Sequence, residues 1–563
     1  MRKAPVIVVL GPGSMATARR IQALYPLASI HGLAGRTEQV DRTFDSFGDT
    51  LRALYQQDTP IIALCAAGIV IRTLAPLLTE KGVEPPVLAV AEDGSAVVPL
   101  LGGLGGVNLM AREIADALDV APAITTSGEL RFGTCLLNPP QGYALDDLEQ
   151  GKRFVSDLLA GAAVRVEGAA PWLDDAQLPA SDTAQRTIHV GCALRPASRD
   201  ELLIYPRSVL VAVDAATPGL ADLVRDALQS ASIAQQSLAC LLASETQMAE
   251  PALHEAARTL GVELRFAPEA ASLQHMAAHA LEGADVQTLS GVAIAVAAAP
   301  IAPEAIGHGR GRLAVIGLGP GAAELMVPAV KAELARAQDV LGYETYVRMA
   351  GPLRDDQIQH CTDNREEMQR ARHAFELAAQ GRSVVVVSSG DPGVFAMAAA
   401  VLEALHESSD PAWHRVELEI LPGVSASLAT AAQAGAPLGH DFCVMSLSDN
   451  LKPWSIIEKR LDLAAQADLV LAFYNPISRS RPWQLGEALA VVRRHREAQT
   501  PVVLGRDIGR PGQTLKVVSL GELQPDMVDM RTMVLVGSST TCTFDRADGG
   551  QWVYTPRWYG NKP

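Results

Sequence analysis

The sequence predicts a multidomain α/β protein, and three observations predict it. Short apolar, β-branched runs alternate with stretches carrying apolar residues at helical spacing, the pattern of βαβ units around parallel sheets. A chain of 563 residues exceeds what one core supports and asks for three or four domains. Its 48% apolar and 20% charged residues are the proportions of a globular chain. The stretch SVVVVSSGDPGVF (383–395) condenses the pattern. Four consecutive valines suit a strand buried on both faces. Glycine and proline then force a turn at the strand's carboxyl end, where open α/β sheets bind ligands. An apolar, helix-like stretch follows over 394–405.

From the start of the chain, PVIVVL is a strand, 14–24 a helix, PIIALCAAG a second buried strand and 69–78 a helix. VLAVAEDGSAVVPL makes a strand pair around Asp93-Gly94, and 109–118 is a further helix. Between them, the four glycines of LLGGLGGVN (100–108) permit close backbone approach, either of another segment or of a ligand. Residues 126–203 are less regular, with Pro139-Pro140 and Pro171-Trp172, and read as a small insert. Alternation resumes from 204 and closes a compact α/β unit near 299. The Pro- and Gly-bearing segment 300–310 reads as a linker to a further domain over 311–550.

That last domain holds a series of strand-ending turns. LAVIGLGPG ends a strand at Gly319-Pro320-Gly321, and VELEILPGVSAS ends one at Pro422-Gly423-Val424-Ser425. ADLVLAFYNP stops at Tyr474-Asn475-Pro476, and PVVLGRDIGRPG at Gly505-Arg506-Asp507. With the Gly390-Asp391 turn these make five parallel-looking strands whose ends could converge on one cleft. The GPG turn is neither a dinucleotide fingerprint nor a Walker loop, and Leu10-Gly11-Pro12-Gly13 repeats it near the start of the chain. Each turn by itself reads equally well as an ordinary capped connection.

Net charge of -16 argues against nucleic-acid and anionic-membrane partners. The seven cysteines are scattered without a C-x-x-C pair, which disfavours a metal site or disulfide framework and fits a reducing cytoplasm. Arg2 and Lys3 precede an apolar run, but 6–10 is too short for a signal peptide core or a membrane span.

The ordered motifs GLGPG, SSGDPGVF, PGVSAS and FYNP resemble those of the tetrapyrrole methylases, over about 311–545. GYETYV (342–347), GHDFCVMSLSDNLKPW (439–454) and RPWQL (481–485) are similar to the precorrin-3B C(17)-methyltransferase branch. The resemblance implies two α/β subdomains with the site between them, S-adenosylmethionine as cofactor, and a homodimer formed through the methylase domain. It places the cofactor on Gly319, Pro320, Gly321, Gly390, Asp391, Gly393, Ser425, Ala426 and Tyr474. It also implies methylation at carbon 17 with loss of carbon 20 from the ring, a rearrangement that needs proton transfers. Tyr343, Glu344, Ser448 and Asp449 are the candidates for those transfers. The substrate so implied is a polyanionic precorrin, which Arg479, Arg481, Arg506, Arg510 and Lys452 could hold.

The first 300 residues resemble the cobalamin-biosynthesis protein family CbiG, which opens a lactone in the anaerobic route. CAAGIVIRTLAPLL (65–78), PLLGGLGGVNLMAREIADAL (99–118), PAITTSGELR (122–131) and AEPALHEAARTLGVELRF (249–266) carry the likeness. Three departures stand out: Leu104 lies in the glycine loop where the family pattern has a His, Gly128-Glu129 replaces an aspartate, and a lysine is missing near Gln247. These put the general base in question and leave two readings of this half, hydrolysis or binding and handover of the ring. They favour a metal-free substrate for the other half, the alternatives being a bifunctional cobalt-precorrin-5A hydrolase and cobalt-factor III methyltransferase of the anaerobic route, or a non-catalytic carrier of corrinoid intermediates.

Overall fold

The valine run is the centre of a sheet. In the computed structural model Val384 is 1% exposed and Val385, Val386 and Val387 are fully buried, as a strand with helices on both faces requires. The structure describes residues 3–78, 84–215, 219–354, 356–363, 366–547 and 549–558. The chain forms two units, Met1–Arg310 and Gly311–Pro563.

Within the first unit, six strands order as Arg42–Phe44, Ser29–Leu33, Val6–Val9, Ile61–Leu64, Val87–Val90 and Val97–Leu101. The last pairs antiparallel, as the Asp93-Gly94 turn dictates, and the rest are parallel. Helices Met15–Leu24 and Val107–Leu118 cover one face, and Phe47–Gln56 and Ala67–Leu74 the other. The stretch 126–203 is more ordered than its composition suggests. It contributes to a four-stranded sheet of Tyr143–Leu145, Glu201–Pro206, Arg186–Val190 and Val164–Glu167, so residue 203 lies inside a strand. A five-stranded sheet follows, ordered Glu263–Ala267, Leu238–Ser244, Val209–Ala212, Val292–Val296 and Asp285–Leu289. The segment 300–310 is not a free linker: Ile301 and Ile306 are buried in the core of this sheet, and Phe266 and His308 exchange backbone hydrogen bonds of 2.8 and 3.0 Å. Two apolar side chains among the prolines outweigh the local turn signal.

The second unit opens with a fully parallel sheet ordered Ile358–Thr362, Asp339–Tyr343, Ser383–Ser388, Arg312–Gly317 and Glu417–Leu421. Its second sheet is mixed, ordered Phe442–Ser446, Val470–Tyr474, Thr532–Val536, Pro501–Arg506 and Thr514–Ser519. Val470–Tyr474 and Pro501–Arg506 do run the same way, but each pairs antiparallel with the strand between them. The five strands expected to be parallel are thus divided between two sheets. Helix Ala426–Ala434 joins them, since it leaves the last strand of the first sheet and packs on the second.

Candidate functional site

Three strand ends of the parallel sheet meet backbone against backbone. Gly319 and Gly390, both with positive φ, exchange N–H···O bonds of 3.1 and 2.8 Å, joining the GPG and GDP turns. A Cβ on Gly423 would stand 2.2 Å from the Gly390 oxygen and 2.6 Å from that of Gly317. Such contacts exclude every side chain. The Asp391 carboxylate completes the junction: Oδ1 accepts from Gly393 N at 2.8 Å and Oδ2 from Gly423 N at 3.1 Å. Gly317 and Gly423 are packing positions of this junction that the sequence reading did not single out among the cofactor residues. Their signal was present, as glycines immediately at strand ends within GLGPG and LPGVS.

The second sheet docks onto this junction through Ser425 and Tyr474. Ser425 caps helix Ala426–Ala434 by accepting from Leu428 N, and its Oγ lies 3.0 Å from Ser427 Oγ. Ser427 N donates to the Tyr474 hydroxyl at 3.1 Å, with Ser427 Oγ also at 3.1 Å. Tyr474 therefore turns its hydroxyl to the helix and its ring to Phe395, 5.4 Å away at 60°. Beside it, Ser446 Oγ accepts from Asn475 Nδ2 and from Ser448 N. Asp449 takes both of its hydrogen bonds, 3.1 Å each, from Gln484 Nε2, and Gln484 is 2% exposed.

The cations expected to grip substrate are mostly engaged inside the protein. Arg510 Nε donates to Pro320 O at 2.9 Å and Nη2 to Ser389 Oγ at 3.1 Å, clamping two loops of the first sheet from a loop of the second. Buried Arg481 donates to Asn475 O, and Arg506 pairs with Asp529. Arg479 is exposed with no ion pair among the described residues. Lys452 is half-buried, 5.9 Å from the Phe395 ring centroid, and burial, helped by Arg460, lowers its pKa.

Of the proton-transfer candidates, Tyr343 packs edge-on to Tyr346 at 5.5 Å. Burial raises the pKa of the Tyr346 phenol, and Arg510 and Arg370 oppose the shift. Tyr346 thus adjoins the Arg510 clamp, unnoticed in the sequence because an aromatic on a helix reads as core. Exposed Glu344 pairs along its own helix with Arg348 rather than with the loops.

In the first unit, the glycine loop and the TTSGELR segment also come together. Glu129, 5% exposed, receives Asn108 Nδ2 on one oxygen and Arg112 Nη2 on the other, both at 2.6 Å. Asn108 reaches Thr126 Oγ1 at 3.0 Å as well. The carboxylate is therefore satisfied on both sides. Elsewhere in this unit, burial pushes the Cys65 thiol up to about 11, with Glu92 adding to the shift.

The family of tetrapyrrole (corrin/porphyrin) methylases matches residues 312–524, and the cobalamin synthesis G N-terminal family matches 49–129. A precorrin-3B C(17)-methyltransferase of Sinorhizobium sp is 52% identical over 249 residues, 44% of this chain and 97% of that protein. The cobalamin biosynthesis protein CobIJ of Mycobacterium tuberculosis is 47% identical over 253 residues, 44% of this chain and 48% of its own length. A probable cobalt-factor III C(17)-methyltransferase of Salmonella typhimurium is 39% identical over 247 residues, covering 44% and 99%. The crystal structure of the methyltransferase CobJ, 52% identical, aligns over 44% of this chain and all of its own with a TM-score of 0.41. The chain belongs to the tetrapyrrole methylases. Along the chain, its methyltransferase unit follows a segment related to cobalamin synthesis protein G. Among the described residues no helix is long and apolar enough to cross a membrane.

Proposed function

We propose that the second unit transfers a methyl group from S-adenosylmethionine to carbon 17 of precorrin-3B, with ring contraction to precorrin-4. The observation that carries this is the junction of Gly317, Gly319, Gly390 and Gly423, where backbone polar groups stand bare of side chains at the ends of three parallel strands. The 97% coverage of a precorrin-3B C(17)-methyltransferase at 52% identity supports the substrate. The higher identity to that protein than to the cobalt-factor III enzyme favours a metal-free ring.

S-adenosylmethionine supplies the methyl and, as a sulfonium, its leaving group. The chain's part is to bind and orient, because in-line displacement gains most from holding both partners in near-attack geometry. The backbone of Gly319, Pro320, Gly321, Gly390, Gly393, Ser425 and Ala426 would cradle the cofactor, and the Tyr474 ring would wall it. Asp391 would offer a fixed carboxylate to a cofactor of net positive charge, while the two N–H bonds it accepts keep the loops in register. Asp449, oriented by Gln484, is our first candidate for the proton transfers of contraction, with Ser448 beside it in sequence and Tyr343 at the end of strand Asp339–Tyr343. Glu344 is the weakest candidate, since Arg348 already engages it.

For the first unit we infer a binding rather than a hydrolytic role. Leu104 cannot act as a base, and Glu129 has both oxygens committed to Asn108 and Arg112.

Titration calorimetry of S-adenosylmethionine into the intact chain and into Asp391→Ala tests the cofactor site: binding to the first, lost in the second, is expected. Turnover of precorrin-3B to a product heavier by one methyl group tests the substrate. Preference for the cobalt-loaded ring would overturn the metal-free reading.

A further inference from the structure

One residue in the cleft is both out of place and unexplained by cofactor binding. Phe395 ends the GDPGVF loop with φ of 54°, a left-handed conformation that disfavours any β-substituted residue. Its ring is nonetheless 51% exposed, so the strain does not bury it. Two other loops meet this exposed ring: Tyr474 from the end of its strand, edge-on at 5.4 Å, and the Lys452 ammonium at 5.9 Å from the centroid. Tyr474 ends a strand of the second sheet and Lys452 lies on the loop after another, while Phe395 lies on a loop leaving the first sheet, so the three side chains bridge the two halves of this unit.

We propose that Phe395 and Lys452 form a ledge that selects the macrocyclic substrate, the phenyl face stacking on the ring and the ammonium pairing with one of its peripheral carboxylates. This rests on the tetrapyrrole reading given above and names the residues that recognise that substrate. Electrostatics decides between the two ligands of the cleft. A cation held over an aromatic face repels a cofactor of net positive charge and attracts a polyanion. Arg481, Arg506 and Arg510 are tied to protein partners, which leaves Lys452 and the exposed Arg479 to meet the carboxylates. The flat apolar ring of Phe395 supplies the non-polar contact that a charged rim cannot.

The test uses the intact chain and two probes, uroporphyrin III followed by fluorescence and S-adenosylmethionine followed by calorimetry. Phe395→Gly removes the ring at a position where glycine is conformationally at ease, so its melting temperature should hold or rise. Its porphyrin affinity should fall roughly tenfold or more while cofactor affinity stays unchanged. Phe395→Tyr should restore porphyrin binding. Lys452→Gln should weaken porphyrin binding and flatten its dependence on salt, and Lys452→Arg should retain both. Undiminished porphyrin binding by Phe395→Gly, or loss of cofactor binding instead, overturns the ledge alone. Wild-type protein that takes the cofactor and no porphyrin overturns the functional reading and the ledge with it.

Discussion

The chain contains the tripeptide Gly-Pro-Gly twice after a buried strand, and the two copies have little else in common. Around Gly11 and Gly13 the turn runs into a short 3-10 helix, Ser14 Oγ bonds back to Gly11 O, and a Cβ on Gly11 would meet nothing within 4 Å. Around Gly319 and Gly321 both glycines have positive φ, and a Cβ on Gly321 would stand 2.7 Å from Arg510 Cγ. One turn is open and the other is walled by loops from both sheets of its unit. The same letters therefore carry different weight, and what separates them is the set of segments that fold brings near.

Substitutions can break that contrast. The largest effect should come from Gly423→Ala, whose Cβ would meet backbone oxygens of Gly390 and Gly317 with no flexible atom to yield. Melting of the second unit should drop by several degrees, the counterpart of about 2–4 kcal/mol. Calorimetric cofactor binding should vanish. Next is Asp391→Asn, which keeps one acceptor oxygen and turns an amide N–H toward the other donor. Leaving Gly393 N or Gly423 N unsatisfied should weaken the junction by about 1–3 kcal/mol and cofactor binding roughly tenfold.

Acid should affect the stability of the two units differently. His31, paired in register with Val8 on the strand before the first turn, has a pKa lowered to about 4 by burial, with Arg42 adding and Asp41 opposing. The unfolded chain takes up that proton near pH 6.5 and the folded one near 4. Stability from this residue is thus complete above about pH 6.5 and lost as pH falls toward 4. In the second unit Asp339 is held below the ordinary carboxylate value; burial pulls it up, but hydrogen bonds from Arg382 and His360 prevail. Its contribution is present above the unfolded value near 3.9 and lost only as pH falls below that, through the folded pKa. Melting curves followed from pH 7 to 4.5 should show the first unit softening first, and His31→Gln should flatten its pH dependence. Smallest of all, Gly11→Ala should move stability by no more than about 0.5 kcal/mol in the same melting experiment.

Local chemistry made much of the fold legible. Four valines could only be a doubly buried strand, and Asp93-Gly94 marked a hairpin that the structure contains. Loop positions were legible too, because each follows an apolar run. What those loops touch was not. The bond from Gly423 N to Asp391 spans 32 residues, and those of Arg510 span 190 and 121. Nothing in the neighbouring letters reports such distances, so arginines that look free on paper are tied in the fold. The segment 300–310 misled for the opposite reason: its prolines announce turns, while Ile301 and Ile306 decide that it packs.

Arg510 also sets an order of events during synthesis. The valine strand and the GDP turn leave the ribosome well before residue 510 exists, and its bond to Ser389 closes a span of 121 residues. At roughly 5–20 residues per second, that is a wait of about 6–24 s in which the first sheet can fold but its loops have no clamp. A nascent chain arrested before residue 510 should have the parallel sheet and lack the locked cleft. Methyl-donor binding would then report translation of the last quarter of the unit, rather than folding of the sheet that carries most of the glycine loops.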